Sequence, residues 1–230
     1  MKNYIHIFFD LDRTLWDFEA NAIEAFKDLF VKYKLDKIFP DFNSFHKAYR
    51  KINKNLWQKY REGQIEKEVL KYQRFYLTLK HFSHDDIDLS RKIGDDYVSF
   101  SAKKTKLSPY THEALDYLKN KYNLHIITNG FEEVQFKKIR KCQLEQYFKK
   151  IITSEKAGVQ KPHQQIFEYA LKVANAKPAD SLMIGDDFEG DIRGAKAAGI
   201  DQVYFNPNNN PTEEKATYEI DSLLQLMDIL

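Results

Sequence analysis

An α/β fold is predicted for this chain: a parallel sheet covered by helices on both faces, with an all-helical segment inserted early. Three observations predict it. Short apolar runs alternate with helical patterns from about residue 121 onward, a long interval near 18–100 has helical periodicity only, and polar residues of a few chemical types stand directly behind the apolar runs. The first run, Ile-His-Ile-Phe-Phe at 5–9, reads as a buried strand. Later strands are expected at 124–128, 150–153, 181–184 and 202–205, each pair separated by a helix, and that order implies parallel pairing. Pro162 fits the first turn of a helix running through Gln165, Phe167 and Ala170, where its missing N–H costs nothing. A helix over 191–198 ends at Gly199.

In the helical interval, Phe42, Phe45, Tyr49, Ile52, Leu56 and Tyr60 recur at steps of three and four. So do Val69, Tyr72, Tyr76 and Leu79, then Leu89, Ile93, Tyr97 and Phe100, which marks amphipathic helices. Residues 41–44, 62–64 and 83–86 supply the breaks between them. Residues 1–17 and 101–230 are therefore expected to form the sheet domain and residues 18–100 a helical one. An insertion after the first strand would sit over the C-terminal edge of the sheet, where open α/β folds bind ligands, and act as a lid. The Asn- and Pro-rich stretch 206–211 reads as a surface loop.

With 230 residues the chain can bury a substantial core. Lysine and arginine number 36 against 34 acidic residues, too even a balance to steer the protein toward nucleic acid or anionic lipid. The single cysteine, Cys142, rules out an intramolecular disulfide. The apolar run at 5–9 is too short for a signal segment or membrane span. A soluble, cytoplasmic protein is expected, without nucleic-acid or membrane partners, as a monomer or homodimer.

The chemistry lies at the strand ends. Asp10 and Asp12, two apart, share a face and repel unless a cation or proton intervenes. Thr128-Asn129-Gly130 ends the second strand, Lys161-Pro162 follows the third, and Gly185-Asp186-Asp187 with Asp191 follows the fourth. In a parallel sheet these ends share one edge, so the groups converge on one crevice. Carboxylates for a divalent cation, a hydroxyl, an amine and backbone N–H groups at a glycine together suit a phosphoryl group. A carboxylate nucleophile would be repelled by a phosphate dianion, Mg²⁺ with a lysine would relieve that, and an aspartyl phosphate could form. Gly185 needs only a tight turn as explanation, and the basic run 137–141 reads as the solvated face of a helix that buries Val134, Phe136 or Ile139. Cys142 is expected near that helix end.

Asp10-Leu11-Asp12-Arg13-Thr14-Leu15, Thr128-Asn129-Gly130, Lys161-Pro162 and the run from Gly185 to Asp191 resemble, in order and separation, the four motifs of the haloacid dehalogenase superfamily. The resemblance spans nearly the whole chain. It implies a three-layer Rossmann-like core with an inserted helical cap. It makes Asp10 the nucleophile and Asp12 first the acid for the leaving group, then the base for water. Thr128 and the Asn129 amide would hold phosphate oxygens, Lys161 would neutralise charge, and Mg²⁺ would be held by the Asp10 carboxylate, the Asp12 carbonyl and Asp186. Asp191 acts through water or as a supporting acceptor, or is a plain carboxylate at a helix N-terminus.

True dehalogenases of the superfamily lack the second aspartate and need no magnesium, so the presence of Asp12 argues against dehalogenation. The stretches 14–21 and 154–162 resemble a subgroup of non-canonical pyrimidine 5′-nucleotidases, which implies small phosphomonoesters, nucleoside 5′-monophosphates first, as substrates. A sugar-phosphate phosphomutase, a phosphoglycolate-type phosphatase and a non-catalytic phospholigand-binding protein are the alternatives. Trp16 and Phe18, next to the catalytic loop, are candidate substrate contacts, ahead of Trp57 and Tyr60.

Overall fold

The structure, a computed structural model, describes residues 2–230. Two compact units are present, one made of the chain up to Ala20 together with Thr105–Leu230, the other of Asn21–Lys104. In chain order the elements are β1 (His6–Phe9), α1 (Phe18–Tyr33), α2 (Phe42–Arg61), α3 (Lys67–His81), α4 (Ile87–Ser101), α5 (Thr111–Leu118), β2 (Asn123–Thr128), α6 (Glu132–Lys141) and β3 (Lys150–Thr153). There follow α7 (Ser154–Ala157), α8 (Gln164–Ala174), β4 (Ser181–Gly185), a π-helical turn (Phe188–Arg193), α9 (Gly194–Ala197), β5 (Asp201–Phe205), β6 (Tyr218–Ile220) and α10 (Leu226–Ile229).

Among the described residues the first unit carries one parallel sheet in the order β3-β2-β1-β4-β5-β6. β1 lies between β2 and β4, with Phe9 opposite Ile126 on one side and Ile184 on the other. Successive side chains of a strand face opposite ways. Ile7 and Phe9 accordingly join Leu115 and Leu118 of α5, Ile139 of α6 and Leu226 of α10. Phe8 joins Ile166, Phe167 and Ala170 of α8 and Ala195 of α9. Helices cover both faces, which is why Ile7, Phe8 and Phe9 are apolar in succession rather than alternating with polar residues.

In the helical unit, Phe26 packs against Tyr49 at 4.7 Å and stacks on Tyr97 at 4.8 Å between ring centres. Arg74 is buried with its guanidinium 4.8 Å over the Tyr97 ring, where cation and π-face stabilise each other. The predicted breaks serve as caps: Asp41 accepts from the Ser44 N–H and Asp86 from the Leu89 N–H. Gly94 lets α3 and α4 approach closely, since a Cβ there would stand 2.6 Å from the Lys71 carbonyl oxygen.

Three expectations need correction. Pro162 precedes its helix, which starts at Gln164, because Asn129 clamps the backbone of Lys161 and holds this stretch as a loop. The helix expected over 191–198 is a wide π-turn followed by α9. Here Asp187 accepts from the Gly190 N–H and gives its own N–H to Asp191, which draws the Asp191 carboxylate inward and opens the turn. β6, three residues long, extends the sheet beyond the expected last strand. Gly199, at φ +75°, does end its helix. Among the described residues no helix is long and apolar enough to cross a membrane.

Candidate active site

Asp10 follows β1 directly, its N–H donating to the Ile184 carbonyl at 2.9 Å, so the first carboxylate is locked to the end of β4. Beyond it the chain turns tightly: Arg13 takes φ 69°, its N–H meets the Trp16 carbonyl at 2.8 Å, and the Leu15 and Trp16 N–H groups return to the Leu11 carbonyl. The hairpin-like loop holds Asp12 on a frame anchored by the buried Leu11, Leu15 and Trp16.

Lys161, 3% exposed, reaches from the loop before α8 to the centre of the site. Its ammonium donates to Asp10 Oδ1 at 2.6 Å, Asp191 Oδ1 at 2.5 Å and the Ile127 carbonyl at 2.9 Å. All three N–H bonds are thereby used within the protein. Two carboxylates beside the ammonium hold it charged against the opposing effect of burial and raise its pKa. Asp191 uses its second oxygen to accept from the Asp187 N–H at 3.1 Å. A Cβ on residue 185 would lie 2.1 Å from Asp191 Oδ2, so close approach, not a turn, requires glycine.

Asp186 closes the cluster, accepting from the buried Thr14 hydroxyl at 3.2 Å. Burial pushes the Asp10 carboxyl above its ordinary range despite Lys161. Asp186 is pushed well above it, by burial first and then by the charges of Asp10 and Asp191. Asp191 rises to about 7, again mainly by burial. One carboxylate oxygen from each of Asp10, Asp186 and Asp191 lies within 4.8 Å of the others. Three hard oxygen donors, two buried and that of Asp186 half-buried, whose charged forms are under-compensated fit a divalent cation such as Mg²⁺.

The side chain of Asp12 stands outside this triad. Its Oδ1 accepts from Lys138 at 2.5 Å and its Oδ2 from the Gln135 amide at 2.9 Å. The repulsion expected between Asp10 and Asp12 is thus met by one lysine for each carboxylate. Lys138 belongs to the run read as a solvated helix face. It is instead 3% exposed, with Trp16 3.8 Å beneath its ammonium, while Lys137, Arg140 and Lys141 do face solvent. Trp16 is fully buried in the core and presents no surface to a ligand, contrary to expectation. Phe18 is half-buried under the Arg13 guanidinium at 4.1 Å.

Thr128 ends β2 with its Oγ1 accepting from the Gly130 N–H at 3.2 Å and from Gln135 at 2.7 Å. The side-chain amide of Asn129 is engaged within the protein, which leaves its backbone N–H as the amide free for the expected phosphate contact. The side chain accepts from the Lys161 N–H at 2.8 Å and donates to the Lys161 carbonyl at 3.0 Å, fixing the loop that delivers the ammonium. Sequence reasoning missed Gln135, Lys138 and the Thr14–Asp186 bond. For Lys138 a signal existed: it lies one helical turn from both Val134 and Cys142, which are buried.

The fold and this arrangement of acidic residues around a buried lysine define a hydrolase class. The haloacid dehalogenase-like hydrolase family model matches residues 6–199, and the chain belongs to that family. Among its relatives, the HAD-hydrolase YfnB of Bacillus subtilis is 32% identical over 235 residues, covering 100% of this chain and 97% of its own. The crystal structure of YfnB, described as bound to magnesium, superposes with a TM-score of 0.89 over 99% of both chains. The pyrimidine 5′-nucleotidase PynA of Streptococcus pneumoniae is 31% identical, covering 99% of this chain and 95% of its own. A glyceraldehyde 3-phosphate phosphatase of Methanothermobacter thermautotrophicus is 35% identical, covering 97% and 98%.

Proposed function

We propose that the protein is a magnesium-dependent phosphatase of small phosphomonoesters, nucleoside 5′-monophosphates first among them, working through an aspartyl phosphate on Asp10. One observation carries the reading: Lys161 joins Asp10 to Asp191 beside Asp186, while Asp12, two residues on, is held apart by separate donors. The two aspartates of one loop thereby have different surroundings and can take different roles. The resemblance to a pyrimidine 5′-nucleotidase supports the substrate class.

Held by Asp10, Asp186 and the Asp12 carbonyl, with Asp191 beside them, Mg²⁺ would supply positive charge that lets an anionic nucleophile approach a phosphate dianion. Asp10 attacks phosphorus and the bond to the ester oxygen breaks, Asp12 passing its proton to the departing alcohol. Asp12 then takes a proton from water as the water oxygen attacks phosphorus. The acyl-phosphate bond breaks, regenerating Asp10 and releasing inorganic phosphate. Both acceptor positions of Thr128 Oγ1 are taken, so its own proton is available to a phosphate oxygen. The Asn129 backbone N–H is the second phosphate donor, and Lys161 contributes charge rather than a hydrogen bond.

The test is phosphate release from pyrimidine and purine 5′-monophosphates, sugar phosphates, glyceraldehyde 3-phosphate and phosphoglycolate, with Mg²⁺ and beside an Asp10→Asn variant. Preference for nucleotides, lost in the variant, is expected. Preference for another ester discards the substrate class alone. Transfer to a sugar phosphate without net hydrolysis marks a phosphomutase, and no turnover of any ester overturns the enzyme reading.

A further inference from the structure

We propose that Gln135 and Lys138, on one turn of α6, are positioning residues for Asp12: they grip both oxygens of its carboxylate and so aim the proton it exchanges, and Gln135 couples that grip to Thr128. The inference rests on reading Asp12 as the proton donor and acceptor of the reaction.

Residues three apart on a helix share a face, and here each reaches a different oxygen of one carboxylate. Lys138 is not placed inward for want of an alternative, since the adjoining position, Lys137, is exposed. A buried lysine and a buried amide are costly unless paired, and the pairs formed are those with Asp12. Gln135 has no exposed surface, and its carbonyl Oε1 is buried with no hydrogen-bond partner. Leaving a buried carbonyl unpaired costs about 1–3 kcal/mol. The amide tolerates this in order to present both N–H bonds, one to Asp12 and one to Thr128. Turning it over would set its carbonyl oxygen against the Asp12 carboxylate.

Two further features serve the same grip. A Cβ at residue 130 would stand 2.4 Å from Cδ and Nε2 of Gln135, so Gly130 provides the space the amide occupies. Trp16, bridged to Asp12 within the catalytic loop, forms the floor beneath the Lys138 ammonium. One lysine therefore fastens both ends of that loop to α6.

The experiment compares kcat on p-nitrophenyl phosphate, whose leaving oxygen needs little protonation, with kcat on the best alkyl ester found in the panel. A positioning role through Asp12 predicts for Lys138→Met and Gln135→Leu a loss of roughly 10²-fold on the alkyl ester and about tenfold less on the aryl ester. Lys138→Arg, which keeps charge and reach, should recover most of the loss. Added to Asp12→Asn, either substitution should cost no more than about twofold further, because residues acting as one unit are not additive. Equal losses on both esters, or the full loss repeated in the Asp12→Asn background, would overturn the proposal. If Lys138→Met does not fold, Gln135→Leu carries the comparison alone. An impaired Asp12→Asn beside wild-type turnover in both positioning variants fails this inference only. An Asp12→Asn enzyme with full alkyl-ester turnover fails the acid–base reading, and this inference with it.

Discussion

Replacing Lys161 by methionine keeps the length of the side chain but removes the ammonium that lies 2.6 Å from Asp10 and 2.5 Å from Asp191. Both carboxylates are nine-tenths buried or more, and the Ile127 carbonyl loses its donor as well. Breaking a buried pair by removing one partner typically costs about 3–5 kcal/mol, since the other charge stays desolvated. The cost should depend on pH. Burial already raises Asp10, and Asp191 to about 7, with Lys161 present; without it both rise further. A carboxyl raised in the folded state penalises folding only where it is ionised. The deficit is therefore larger at pH 8 and shrinks as the pH falls to 5 and the orphaned groups protonate. The assay is urea unfolding of wild type and Lys161→Met in chelator at both pH values, repeated with Mg²⁺, which should restore part of the loss at pH 8. A deficit below about 1 kcal/mol, or one equal at pH 5 and pH 8, refutes the reasoning.

Further outcomes follow from individual contacts. Gly185→Ala places a methyl 2.1 Å from Asp191 Oδ2 and should destabilise by about 1–3 kcal/mol, with phosphate release falling alongside; a neutral variant in urea denaturation contradicts the close-approach explanation. His125, buried between Phe8 and His6, has its pKa lowered to about 4 by burial and nearby cations. A base lowered in the folded state stabilises fully above its ordinary pKa of 6.5, and that stability is lost as pH falls toward 4. Between pH 8 and pH 5 it should account for about 2 kcal/mol of lost stability, absent from the slope of a His125→Phe variant. Mg²⁺ at about a hundred times its dissociation constant should raise the unfolding free energy by about 2.7 kcal/mol in wild type and by far less in Asp186→Asn, read by denaturation without any substrate.

The strands and the convergence of the site were legible because continuous apolar runs admit few alternatives and the polar residues behind them share one sheet edge. What escaped was decided by tertiary partners. Lys138 sits among Lys137, Arg140 and Lys141, and local charge density outweighed the helical spacing that turns it inward. The side chain of Asn129 binds backbone 32 residues away, which no local pattern announces. The π-turn at Phe188–Arg193 exists because Asp191 is pulled toward Lys161 and the Asp187 N–H, so helix propensity alone misplaces its start. β6 is too short to carry a periodicity.

The most direct test of the account is the fate of the phosphoryl group on Asp10. An Asp12→Asn variant, impaired in activating water, is mixed with p-nitrophenyl phosphate and Mg²⁺, quenched in acid, digested and analysed by mass spectrometry. The account predicts one phosphoryl adduct, on the peptide that carries Asp10 and at that residue. Nitrophenol release by the variant with no adduct, or with the adduct on another residue, would contradict it.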